Sequence, residues 1–197
     1  FWKDDSIAPK YYNETFLFKI GSANDISPDG FTIQALGSSE YGMYLTLSRS
    51  CRLDLNGQNI KMNGSQQCSL AFAEGISAVL MDSAGGAEYH NVNENNTFSL
   101  FDMAGSASVT IQGGHYYDYK NLIRSDEPTG RILTIEGGYF HGNNQSNIGD
   151  GKVILSGGTF YGGLRVSGTV ELKEGYAIHY LAGDKEGTYA TTWEDTS

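Results

Sequence analysis

Carboxylate side chains are the first residues to test for chemistry, because the chain carries 23 acidic residues against 13 basic ones. Glycoside hydrolysis needs two carboxyl groups about 5–9.5 Å apart. In the strands that repeat along the chain, one outward position holds Gln112, Glu136, Ser156 and Lys173, and the other holds Thr110, Thr134, Ile154 and Glu171. Neither set is a carboxylate cluster. The sequence therefore favours a non-catalytic protein, and we assign no catalytic residues.

The remaining polar residues do not predict a metal or cofactor site. Residues 137–142 resemble the calcium-binding repeat G-G-x-G-x-D, but Phe140 stands where that repeat needs glycine and the aspartate is missing. Asp150 lies near a predicted turn and is assigned to turn formation. His115 and His141 occupy different places in successive repeats, so they do not form an obvious ligand pair. We predict no metal and no cofactor.

Tyrosines that follow the glycine pairs of the chain are the strongest indication of a binding function. An exposed tyrosine face is suited to stacking on a sugar ring. Such a surface predicts at least two exposed and roughly coplanar rings on one face. The alternative is that the rings are partly buried and cover the edge of the fold. The candidate ligand-binding residues are Tyr117, Tyr119, Tyr139, His141, Tyr161 and Arg165.

The two cysteines, Cys51 and Cys68, do not form a CxxC motif, which makes a zinc site improbable. Residues 51–55 match residues 68–72 at a shift of 17, and this shift predicts that Cys51 stacks directly on Cys68. Such stacking leaves two alternatives. The thiols either remain free in the interior or form a disulfide, which an exported protein permits.

The elements that position these residues are short strands, each followed by a glycine pair and an aromatic residue. Three copies are regular and a fourth is degenerate, with glutamate in place of the first glycine: VTIQGGHY from residue 109, LTIEGGYF from 133, VILSGGTF from 153 and VELKEGYA from 170. Alternation along a strand predicts that Val109 and Ile111, and their equivalents, face inward. The glycines turn a corner, and Tyr116, Phe140 and Phe160 then stack in the interior.

The copies are unequally spaced, which is typical of a stacked repeat that takes insertions in its turns. We place such turns at residues 126–130 and 143–146, and a second short strand at 122–124, 147–148 and 164–166. This pattern predicts an all-β, single-stranded, right-handed parallel β-helix, or β-solenoid. The right hand follows from the general preference of parallel crossovers. The main competing fold is an antiparallel sandwich, but the segments after Gly-Gly lack the equally long partner strands of hairpins.

We assign residues 1–197 to one domain. It comprises an irregular N-terminal cap (1–30), irregular coils (31–104), regular Gly-Gly coils (105–181) and a C-terminal cap or tail (182–197). The Gly-Gly-aromatic copies resemble the I-x-G-G-x-F coils of pectin-lyase-like β-helix proteins that bacteria secrete or display on the cell surface. The resemblance covers residues 105–181 well and residues 31–104 poorly.

That resemblance implies an exported bacterial protein with a glycan or host-surface role. Our first functional hypothesis is a non-catalytic, monomeric surface module that binds a polysaccharide or a host glycan or protein along one face. The alternatives are a degenerate polysaccharide lyase or hydrolase and a structural stalk. The net charge of -10 argues against nucleic acid and anionic lipid as partners. No apolar run reaches 18 residues, so we predict no membrane insertion.

Overall fold

The computed structural model describes residues 18–20, 31–35, 37–41, 45–62, 68–91, 99–123, 130–161, 164–173, 178–182 and 185–189. Within these residues the chain is all-β and contains no helix. The strands are β1 (Phe18–Ile20), β2 (Phe31–Ala35), β3 (Ser39–Tyr41), β4 (Leu45–Leu47), β5 (Cys51–Asp54), β6 (Ile60–Met62), β7 (Cys68–Phe72), β8 (Ser77–Met81), β9 (Glu88–Asn91), β10 (Ser99–Met103), β11 (Ser108–Ile111), β12 (His115–Ile123), β13 (Ile132–Ile135), β14 (Tyr139–Leu155), β15 (Thr159–Tyr161), β16 (Arg165–Leu172), β17 (Ile178–Ala182) and β18 (Lys185–Tyr189).

Parallel pairing organises these strands into three ladders. The first ladder runs through β2, β5, β8, β11, β13 and the last residues of β14 and β16. The second ladder runs through β3, β6, β9, the first residues of β12 and β14, then β15 and β17. The third ladder runs through β4, β7, β10, the end of β12, the middle of β14 and the start of β16.

The chain visits the first, second and third ladders in that order and then returns to the first. We call one such passage through all three ladders a repeat. The order holds for residues 31–104 as well as for the Gly-Gly segment, so the first half is as regularly paired as the second. Because the pairings within the ladders are parallel, the competing antiparallel sandwich does not describe these strands.

The strand register corrects one of the two predicted turns. Residues 143–146 were expected to form a turn, but they lie within β14, and residues 145–147 pair with residues 165–167 in the third ladder. The strands of the third ladder are therefore the second short strands that were expected in the repeats. Within this ladder, Ile123 of β12 is aligned with Ser146 of β14. Of the other predicted turn, residues 126–129 lie outside the described residues.

The predicted interior ladders are confirmed. Ile111, Ile135 and Leu155 occupy one register position of the first ladder, and all three side chains are buried. In the second ladder the inward rings stack, with centroids 5.3 Å apart between Tyr116 and Phe140 and 4.9 Å apart between Phe140 and Phe160. All these side chains belong to one hydrophobic core.

The glycine pair is confirmed as the corner between the first and second ladders. Its two glycines serve different needs. A Cβ on Gly137 would lie 2.5 Å from the backbone oxygen of Gln112, so the first glycine permits a close approach of neighbouring backbones. Gly138 has a φ of +101°, which disfavours any residue with a side chain.

Antiparallel pairing occurs where the described ladders begin and end. β1 pairs antiparallel with β2, and β17 pairs antiparallel with β18. These strands lie within or next to the predicted N-terminal cap and C-terminal cap or tail. Residues 1–17, 21–30, 183–184 and 190–197 of those predicted segments lie outside the described residues.

The predicted stacking of the two cysteines is wrong. Cys51 pairs with Phe31 and Ala78 in the first ladder, whereas Cys68 pairs with Ser99 in the third ladder. The shift of 17 residues compares strands of different ladders, so it does not measure one repeat. Cys51 is a free, buried thiol rather than half of a bridge, and burial raises its pKa to about 11.

Candidate functional site

The outer face of the second ladder carries an unusual concentration of rings. Each strand there follows a corner and alternates between inward and outward side chains, so two outward columns form along the stack. We call His90, Tyr117, His141 and Tyr161 the ring column, since the register aligns them in consecutive repeats. We call Glu88, His115, Tyr139, Thr159 and the register position of His179 the stepped column, which is aligned in the same way.

The ring column is a continuous face-to-face stack. The centroids are 4.6 Å apart between His90 and Tyr117, 4.2 Å between Tyr117 and His141, and 3.6 Å between His141 and Tyr161. The planes of these pairs differ by 9°, 15° and 23°. The rings therefore cover one another's faces and are half-buried, so the column presents mainly ring edges to solvent.

The stepped column leaves one ring open. His115 packs on one side of Tyr139, with centroids 4.4 Å apart and planes tilted by 36°. On the other side the register partner of Tyr139 is Thr159, whose side chain is too short to cover an aromatic ring. Tyr139 is 42% exposed, whereas the ring-column members are half-buried. A ring is thus missing from the column at Thr159, between Tyr139 and the register position of His179, and we call this place the step.

Polar contacts tie the two columns together. The Nε2 atom of His90 lies 3.1 Å from the Oε2 atom of Glu88 in the same strand. The hydroxyl of Tyr117 lies 3.4 Å from the Nδ1 atom of His115. The rings of His115 and His141 also stack, at 6.4 Å between centroids. These contacts hold His115 and His141, which pack against Tyr139 and Tyr161 respectively, to their neighbours in the two columns.

The structure brings together four of the six predicted ligand-binding residues: Tyr117, Tyr139, His141 and Tyr161. It places the other two elsewhere. Tyr119 is 3% exposed and lies in the core, where burial raises its pKa well above the ordinary value. Arg165 is exposed but lies in the third ladder, where it pairs with Gln145.

The expected arrangement of the rings is also corrected. Coplanar exposed rings were predicted, but three of the rings stack face to face because equivalent positions of parallel strands lie directly above one another. His90, His115 and Thr159 were not predicted as site residues. Their position relative to the glycine pair was the available signal: His115 and Thr159 directly follow the pair, as Tyr139 does.

Carboxylates of the described residues do not converge on this surface. No group of three or more His, Cys, Asp or Glu side chains suited to a metal ion is found within the described part of the chain. The predicted outward set Thr110, Thr134, Ile154 and Glu171 is confirmed as one register position of the first ladder. Hydrogen bonds from Lys152 and Lys173 lower the pKa of Glu171 to about 2.

Comparison with known proteins returns no relative: no family model, no curated protein and no solved structure matches this chain. We also find no helix, over the residues that the structure describes, with the length and apolarity needed to span a membrane. Function must therefore be inferred from the geometry of the two columns.

Proposed function

We propose that this protein is a non-catalytic β-solenoid of the right-handed parallel β-helix type that binds a glycan on the outer face of its second ladder. The fixed order in which the chain visits the three ladders supports the solenoid, because three parallel strands per repeat make a triangular turn. The right hand follows from the general preference of parallel crossovers.

One observation carries the binding proposal: Tyr139 is 42% exposed and has a ring on one side and a threonine on the other. The C–H-rich face of a sugar ring packs on an aromatic ring of this kind, while its hydroxyls form hydrogen bonds to neighbouring polar groups. Adjacent strands are about 4.8 Å apart, so the step has the height of one additional ring.

The setting that we propose is the surface of a bacterium, with an exported, monomeric module whose partner is a polysaccharide or a host-surface glycan. A net charge of -10 agrees with a partner other than nucleic acid or anionic lipid. The exported location rests on the resemblance of the Gly-Gly coils to bacterial surface proteins.

The test is a glycan array with the purified protein, in the presence and absence of calcium, followed by calorimetry on the glycans that bind. We expect Tyr139→Ala to weaken binding at least about tenfold, because it removes the exposed ring face that the step offers. We expect Thr159→Tyr to abolish binding by adding a ring where the sugar would lie.

Matched variants on the first ladder control for general effects on the fold. Ile132→Ala removes another exposed apolar side chain, since Ile132 is 37% exposed. Thr134→Tyr makes the same change as Thr159→Tyr at an outward strand position of the first ladder. Both controls should bind as the natural protein does. An array without any signal, with or without calcium, would overturn the proposal and favour a structural stalk.

A further inference from the structure

The walls of the step restrict which part of a glycan it could hold. A sugar that stacks on Tyr139 lies with its mean plane roughly parallel to the tyrosine ring. An equatorial glycosidic bond projects outward from a pyranose ring, in a direction close to the mean plane of that ring. The rest of the glycan must therefore leave through one of the sides of the step, and those sides differ in how far they are closed.

Two neighbouring sides are closed by the protein. Toward the core lies Thr159, with strand β15 beneath it. Along the same strand lies the ring of Tyr161, which packs on His141 at 3.6 Å between centroids. Toward the corner lie Gly157 and Gly158, which carry no side chains. The last side faces solvent, as the exposure of Tyr139 indicates.

The two open sides, toward the glycine corner and toward solvent, are therefore adjacent. The side closed by Thr159 lies opposite the solvent, and the side closed by Tyr161 lies opposite the glycine corner. An internal residue of a 1,4-linked chain with equatorial linkages has them at opposite ends of the ring, so one linkage would always meet Thr159 or Tyr161. A terminal residue has one linkage and fits with that linkage directed toward the solvent or toward the glycine corner.

We infer that the step binds a single terminal pyranose of a glycan and excludes internal residues of a 1,4-linked chain whose linkages are equatorial. This inference rests on the proposed function and specifies its ligand. The net charge of -10 favours a neutral sugar over an anionic one. The hydroxyl of Thr159 lies at the base of the step, where it offers the sugar both a donor and an acceptor.

The experiment is calorimetry with β-1,4-linked oligosaccharides of glucose, mannose and N-acetylglucosamine, each from one to six units long, because both linkages of their internal residues are equatorial. We expect at least one series to bind. Within that series the molar Kd should stay constant within about twofold from two to six units, with one protein per chain.

A Kd that falls steadily with chain length would overturn the terminal-residue inference while leaving glycan binding intact. Failure of every series would also overturn that inference, whereas a glycan array without any signal would overturn the proposed function. Tyr161→Ala opens one closed side, so we expect this variant to acquire length dependence in the series that binds. Thr134→Tyr, which leaves the step unchanged, should retain the constant Kd, and circular dichroism verifies that both variants are folded.

Discussion

At the residue scale, Asp54 organises the corner of the second repeat through four hydrogen bonds. Its carboxylate accepts the backbone N–H groups of Asn56 and Ser83, the Ser83 hydroxyl and the side-chain amide of Gln34, at 2.7–3.0 Å. Burial raises the pKa of Asp54, but the hydrogen bonds from Ser83, Gln34 and Asn56 outweigh it and leave the pKa below its ordinary value. This carboxylate therefore stabilises the fold in its charged form.

We expect Asp54→Asn to lower the free energy of unfolding by roughly 2–4 kcal/mol at pH 7, because the four donors then face an amide that offers one acceptor atom. Since the pKa of Asp54 is lower in the folded state, its contribution is complete above the unfolded pKa and is lost as pH falls through the folded pKa. Urea denaturation between pH 7 and pH 3 measures both effects, and the variant should show a weaker pH dependence.

Glu136→Gln is the control, because Glu136 is exposed and shares one hydrogen bond of 3.0 Å with the Gln112 side chain. We expect a change within about 0.5 kcal/mol for this variant. Equal stability losses in Asp54→Asn and Glu136→Gln would contradict the assigned role of Asp54.

At the scale of the element, the later repeats make the same corner without a carboxylate. Gly137 and Gly138 replace the side-chain hydrogen bonds of the earlier corner with a close backbone approach and a positive φ. The amide of Tyr139 then donates to the carbonyl oxygen of Gly114 at 2.9 Å, which continues the backbone ladder across the corner. This corner directs Tyr139 outward and Phe140 inward.

We expect Gly137→Ala to destabilise the protein by roughly 1–3 kcal/mol, since the new Cβ would lie 2.5 Å from the carbonyl oxygen of Gln112. Gly130→Ala is a matched control, because a Cβ on Gly130 has no neighbouring atom within 4 Å. Thermal unfolding of both variants measures the difference. A Gly130→Ala variant as unstable as Gly137→Ala would show that the close approach is not the cause.

At the scale of the whole molecule, the stack of parallel strands ends on antiparallel strands in two places. β18 pairs with β17 along its whole length, with Lys185 opposite Ala182 at one end and Tyr189 opposite Ile178 at the other. At the other end of the stack, β1 pairs with β2. An exposed strand edge offers unpaired N–H and C=O groups to other chains. These two strands are therefore expected to protect one edge at each end.

We expect a chain shortened to end at Ala182 to self-associate and to unfold at a lower temperature, because β17 then loses its outer partner. A chain that ends at Tyr189 retains β18 and serves as the control. Light scattering after size-exclusion chromatography determines the mass of each protein. A monomeric chain ending at Ala182, with unchanged thermal stability, would show that β18 does not protect the edge.

Local sequence pattern predicted the repeated unit well, because each feature depends on neighbouring residues. Alternation placed Ile111 and Ile135 inward, and the glycine pair marked the corner before Phe140. These predictions were correct since strand periodicity and the conformational needs of glycine act over a few residues. The pairing of Cys51 with Cys68 was wrong because it required the length of a repeat, and turns of unequal length conceal that distance.

The sequence by itself determined the parts of the candidate site, which are outward rings placed shortly after glycine corners. Only the tertiary structure decided which rings remain available to a ligand. Tyr117, His141 and Tyr161 cover one another because the register stacks them, whereas Tyr139 meets His115 on one side and Thr159 on the other. The physical reason is that exposure depends on neighbours in adjacent repeats, and those neighbours lie many residues away along the chain.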